Sequence, residues 1–161
     1  MHQQPDFGPW EPIEQLGKGG MCVVFRARHQ EDGRECAIKV RMDQDEEAVE
    51  RLAAEARLLM KIRHPNIIAV HDLQDDSRPA WLTMELLSRR DLDEERELRA
   101  FETDRAARVI ADVAEGLAVV HEMGVRHRDI KPANIMIGTD GIPRLIDFGI
   151  ARKVTDAHRT A

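Results

Sequence analysis

The chain has 161 residues, with 24 Lys and Arg against 30 Asp and Glu, for a formal net charge of −6. Charged residues make up 34% and apolar ones 42%, the balance of a folded globular domain rather than a disordered chain. An acidic chain lacks the basic surface of a non-specific nucleic-acid binder, and no apolar run approaches the roughly 18 residues of a membrane helix.

Met1 to Trp10 is polar, carries Pro5 and Pro9, and lacks the apolar core of a signal peptide. Cys22 and Cys36 are too few for a zinc site or a disulfide framework. These features point to the cytosol, with neither a nucleic-acid partner nor a membrane segment.

Residues 12–40 alternate as strands do, and Asp32-Gly33 marks a tight turn between two of them. Residues 45–62 read as a helix, with Val49, Leu52, Ala56, Leu59 and Ile62 on one apolar face. Two short strands follow, Ile67–Leu73 and Ala80–Leu87, joined by the polar Gln74–Pro79. Residues 88–104 are highly charged and read as a solvated linker or a short exposed helix. Thr103 looks like the N-cap of a helix that runs to about Met123, with Ala106, Ile110, Val113, Leu117 and Val120 on its apolar face and Gly124 ending it. Short extended pieces are expected at Val125–Ile130, Asn134–Ile137 and Arg144–Ile146; no periodicity is visible from Asp147 to Ala161. The order implies an α+β chain, a small β-rich lobe over residues 1–87 joined to a mainly helical lobe over 88–161.

Three segments carry chemistry. Leu16-Gly17-Lys18-Gly19-Gly20-Met21-Cys22-Val23-Val24 is a glycine-rich turn between strands, able to bring backbone N–H groups close to phosphate oxygens. A dinucleotide fold would need a helix directly after the glycines, whereas a hairpin follows here. Lys39, on the strand Ala37-Ile38-Lys39, is one of only five lysines in the chain. Glu55 falls on the inward face of its helix, where a carboxylate needs a cation and Lys39 is the natural candidate, or else it lies at the edge of the stripe and reaches water. The third segment is His127-Arg128-Asp129-Ile130-Lys131-Pro132-Ala133-Asn134, followed by Asp147-Phe148-Gly149. A carboxylate, an ammonium and an amide in one loop can take a proton, offset phosphoryl charge and ligate a hard cation.

With these motifs in order over residues 16–149, the sequence resembles the eukaryotic-type protein kinase superfamily, in its serine/threonine branch. The resemblance implies a two-lobe fold and Mg²⁺-dependent transfer of the ATP γ-phosphoryl to Ser or Thr hydroxyls of a protein substrate. It implies that Gly17 to Val24 cover the ATP phosphates and that Lys39, paired with Glu55, binds the α- and β-phosphates. Met84 would stand beside the adenine, and backbone groups of Glu85 and Leu87 would bond its edge. Val24, Ala37 and Met136 would sandwich the ring, and Asp91 would reach the ribose. Asp129 would be the catalytic base, Lys131 would steady the γ-phosphoryl, and Asn134 and Asp147 would hold Mg²⁺. Leu59, Val70, His127 and Phe148 match the stack that links the lobes in active kinases.

Three features depart from the family pattern. Cys22 replaces the usual third loop glycine, Arg126 replaces an apolar residue before His127, and the chain stops twelve residues after Gly149. The last departure implies a truncated kinase domain with weak activity, or in the alternative an ATP-binding, non-catalytic scaffold fragment. In the family a later helix supports the catalytic loop, so the apolar face of the helix at 103–123 is expected to be partly uncovered.

Overall fold

A computed structural model describes residues 5–43, 45–87, 90–98 and 102–148, without the side chains of 96–98. The expected stretch from Gly149 to Ala161 lies outside the described residues. The chain divides into two compact units, Met1–Lys61 with Ala69–Arg89 and Ile62–Ile68 with Arg90–Ala161.

The first unit is a five-stranded antiparallel sheet with one helix. Its elements are β1 (Trp10–Lys18), β2 (Cys22–His29), β3 (Glu35–Arg41), α1 (Glu46–Leu59), β4 (Val70–Gln74) and β5 (Trp81–Met84), and the sheet order is β1-β2-β3-β5-β4. The expected strands at 67–73 and 80–87 are thus shorter at one or both ends. At Ile67 and Ile68 the backbone bonds to the 145 region instead. The Asp32-Gly33 turn forms as the sequence implies, with Gly33 at φ 71°.

Strand register sorts side chains onto two faces. Val24 stands opposite Lys39, Arg26 opposite Ala37, and Ala37 opposite Met84. The alternate residues Ala27, Cys36, Ile38, Val40 and Trp81 are buried with Phe7 in one apolar cluster, against which Trp10 and Phe25 pack. Phe7 lies edge-on to Trp81, with ring centroids 5.7 Å apart. Phe7, from the polar stretch before β1, therefore helps to close one face of the sheet. The opposite face carries Val24, Ala37, Lys39 and Met84.

Asp45 caps α1 by accepting from the Glu47 N–H at 3.2 Å, and Glu46 and Glu47 in the first turn suit the helix dipole. The buried stripe of α1 runs through Val49, Leu52, Ala56 and Leu59, as its periodicity implies, and includes Glu55.

The second unit holds α2 (Leu92–Leu98), α3 (Thr103–Glu122) and a two-stranded ribbon of β6 (Ile135–Ile137) and β7 (Pro143–Leu145). Of the two readings of the charged 88–104 stretch, the short helix forms at α2, where Asp91 caps the first turn by accepting from Glu94 N–H at 2.9 Å. Thr103 is not the N-cap of α3. Glu102 occupies that position, with extended backbone and no side-chain cap bond, and Thr103 is the first helical residue. Gly124, at φ 74°, follows the helix end.

The buried stripe of α3 is Val109, Val113, Gly116 and Val120. It differs from the expected face because Gly116, invisible to an apolar count, sits where the helix meets Asn66 and Ile67. A Cβ there would lie 3.0 Å from Ile67 Cδ1 and 3.2 Å from the Asn66 carbonyl. Ile110, on the apolar face expected to be partly uncovered, is 68% exposed and lines an apolar groove of about 520 Å³ with Leu117, Ile130 and Pro132. No strand forms at Val125–Ile130. Arg128 there has φ 66°, which breaks an extended run.

Candidate active site

In the second unit the catalytic-loop residues meet. Lys131 Nζ lies 3.1 Å from Asp129 Oδ2. Asn134 Nδ2 donates to the Asp129 carbonyl at 2.8 Å and to Asp129 Oδ2 at 2.9 Å. Asp129 N–H donates to His127 Nδ1 at 3.2 Å, while His127 is buried. The turn at Arg128 lets the chain bury His127 and expose Asp129 two residues later.

The electrostatics follow from these contacts. The Lys131 ammonium holds the Asp129 carboxyl below its usual range, the Asn134 amide adds to this, and partial desolvation opposes it. Burial pushes the His127 imidazole down, so it sits neutral at neutral pH, with its ring 4.6 Å from that of Phe148.

The ribbon brings Asp147 to the same end as Asn134. Ile135 pairs with Leu145, and Ile146 N–H donates to the Asn134 carbonyl at 3.1 Å. Asp147 is the next residue and is exposed. The donor set suits Mg²⁺. Both Asn134 N–H contacts above go to Asp129, which directs the amide oxygen away from that residue, and Mg²⁺ takes a carboxylate and a neutral oxygen while keeping waters or phosphate oxygens. Among the described residues no group of three or more His, Cys, Asp or Glu could hold a metal ion. Asp91 and Met136, expected around the ribose and the ring, form a backbone bridge with each other.

In the first unit the glycine turn spans the β1–β2 connection. Gly19 N–H donates to the Cys22 carbonyl at 2.9 Å, and Met42 N–H to the Met21 carbonyl at 2.9 Å. Leu16 falls at a register shift, while Gly17 pairs with Val24 and Lys18 with Val23. Gly20 is exposed. Lys39 is half-buried on β3 and Glu55 is buried on α1, and neither residue is without a partner. Met84 ends β5, and Glu85 and Leu87 follow it. Arg126 is exposed, which is how a charged residue is accommodated before His127. Sequence reasoning missed the side chain of Glu85, which accepts from the Ala69 N–H at 2.9 Å. No local pattern signals this bond, because it depends on how β4 and β5 come together.

A sheet with one helix, followed by a helix, a charged loop and a ribbon, defines a protein kinase core, and comparison with known proteins agrees. Residues 10–161 match the protein kinase domain family, and the chain belongs to it, in the serine/threonine branch. It is 34% identical over 96% of its length to the serine/threonine-protein kinase PknH of Mycobacterium tuberculosis, covering 25% of that protein. It is 40% identical over 88% of its length to a probable serine/threonine-protein kinase of Corynebacterium efficiens, covering 23% of it. The chain thus spans about a quarter of the length of these relatives. The solved structure titled "PpkA-294 apo form" is similar at a TM-score of 0.81 and 25% identity, over 92% of this chain and 61% of that one. No helix among the described residues is long and apolar enough to cross a membrane.

Proposed function

We propose that these residues form the ATP- and Mg²⁺-binding part of a cytoplasmic protein kinase that phosphorylates Ser or Thr of a protein. The cluster of Asp129, Lys131 and Asn134, with Asp147 delivered beside Asn134 by the ribbon, carries the reading. Residues 1–87 would form the nucleotide-binding lobe and 88–161 the start of the substrate lobe.

The turn from Gly17 to Val24 would lie over the phosphates, through the backbone of Lys18, Gly19, Gly20, Met21, Cys22 and Val23, with Leu16 at its root. Lys39, oriented by Glu55, would meet the α- and β-phosphates. Val24, Ala37 and Met136 would enclose the adenine beside Met84, with the backbone of Glu85 and Leu87 on its edge and Asp91 at the ribose. That Val24, Ala37 and Met84 share the face of Lys39 supports this part of the reading.

Asp129 would accept the hydroxyl proton as the Ser or Thr oxygen bonds to the γ-phosphorus and the bond from that phosphorus to the β,γ-bridging oxygen breaks, releasing ADP. Lys131 would offset charge on the transferring group. When bound at Asn134 and Asp147, Mg²⁺ would offset charge on the β- and γ-phosphate oxygens.

The test is transfer of labelled γ-phosphate from Mg-ATP to a generic protein substrate. The expected result is label on Ser and Thr, with Asp129→Asn reducing the rate by roughly 10²–10⁴-fold. Label on another residue type, or full activity in Asp129→Asn, contradicts the proposal. The exposed Ile110 and Ile130, which leave apolar surface beside the catalytic loop, favour a second reading: these 161 residues bind Mg-ATP but transfer slowly or not at all. Binding without label would select it.

A further inference from the structure

The end of the β4–β5 ladder is built differently from the rest of it. Antiparallel pairing runs from Gln74 opposite Trp81 to Asp72 opposite Thr83, skips His71 at a bulge, and resumes with Val70 opposite Met84. One step further, Glu85 N–H donates to the Ala69 carbonyl at 2.9 Å. A regular narrow pair would be completed by Ala69 N–H donating back to the Glu85 carbonyl. Instead, Ala69 N–H donates to Glu85 Oε1 at 2.9 Å. The side chain occupies the ladder position that the main-chain carbonyl would take.

We infer that the Glu85 carboxylate is a positioning residue for purine recognition: by accepting from Ala69, it lets the main chain of Glu85 turn its carbonyl toward the exocyclic amino group of adenine. The inference rests on the proposed nucleotide site, where the backbone after Met84 meets the adenine edge. A half-buried N–H such as that of Ala69 needs an acceptor. Without the carboxylate, the nearest replacement is the Glu85 carbonyl itself, which closes the regular pair and draws that oxygen into the sheet. For the bond to Ala69, what matters is the reach of the Glu85 side chain and its acceptor oxygen. Glutamine keeps both, aspartate is a methylene too short, and alanine has neither.

The experiment measures affinity of the 161-residue chain for Mg-ATP and Mg-ITP, which differ by the amino group at purine position 6. The wild-type chain is expected to prefer ATP by about tenfold, the size of one lost hydrogen bond. Glu85→Gln keeps that ratio. Glu85→Ala and the more conservative Glu85→Asp bring it close to one, mainly by weakening ATP. A general loss of fold lowers both affinities and leaves their ratio, so it does not imitate the effect. An unchanged ratio in Glu85→Asp or Glu85→Ala, or a lost ratio in Glu85→Gln, overturns the inference while the nucleotide site stands. A wild-type chain that binds neither nucleotide overturns the nucleotide site, and the inference with it.

Discussion

Asp129 and the two cysteines show how neighbours set the chemistry of single side chains. Asp129 is half-exposed, yet the Lys131 ammonium at 3.1 Å favours its charged form and lowers its pKa. A group with a depressed folded pKa contributes stability above its unfolded pKa and loses it as pH falls through the folded value. Asp129 is therefore a carboxylate throughout the neutral range. Removing the cation, in Lys131→Met, should raise its titration midpoint towards the ordinary value of about 3.9, as followed by NMR of the carboxyl carbon. An unmoved midpoint would show that Lys131 is not its partner in solution.

Burial pushes the Cys36 thiol up to about 12, whereas Cys22 is half-buried at the glycine turn. Iodoacetamide at about pH 8 should therefore alkylate Cys22 and spare Cys36, and Mg-ATP should slow the reaction at Cys22. Mass spectrometry of the labelled peptides checks this; equal labelling of both cysteines contradicts it.

Among the elements, α3 depends most on one small residue. Gly116 lets the helix approach Asn66 and Ile67, and Asn66 Nδ2 in turn donates to the Pro143 carbonyl at 2.9 Å, tying that segment to β7. A valine at 116 must displace backbone as well as a side-chain end. Gly116→Val should cost about 1–3 kcal/mol, measured by denaturant unfolding. A stability equal to that of the wild-type chain would mean that the helix sits further from Asn66.

The elements also show what could be read from sequence. The stripe of α1, the Asp32-Gly33 hairpin and the loop from His127 to Asn134 depend on residues within one or two turns of each other, so local pattern carries them. Phe7 could not be read, because its partners Phe25 and Trp81 come from elsewhere in the chain and its own surroundings are polar. Gly116 in the stripe of α3 is hidden from sequence for a related reason: a glycine gains its place from what it lets approach, not from its own hydrophobicity. Thr103 and Glu102 differ by one residue, below the resolution of cap signals when no side-chain bond fixes the boundary.

For the whole molecule, the family follows from the match over residues 10–161, while the nucleotide chemistry rests on individual residues. Lys39 and the glycine turn belong to one compact unit, and Asp129, Asn134 and Asp147 to the other. The residues proposed for phosphate and for metal therefore come from distant parts of the sequence, and the proposed function requires both sets for nucleotide held through a divalent cation.

The most direct measurement is calorimetric titration of the chain with ATP, with Mg²⁺ and with excess chelator, for the wild type, Lys39→Met and Asp147→Asn. The expected result is Mg²⁺-dependent binding, weakened at least about tenfold by Lys39→Met and made insensitive to Mg²⁺ by Asp147→Asn. ATP affinity that is the same in all three proteins, or unchanged by chelator in the wild type, would contradict it.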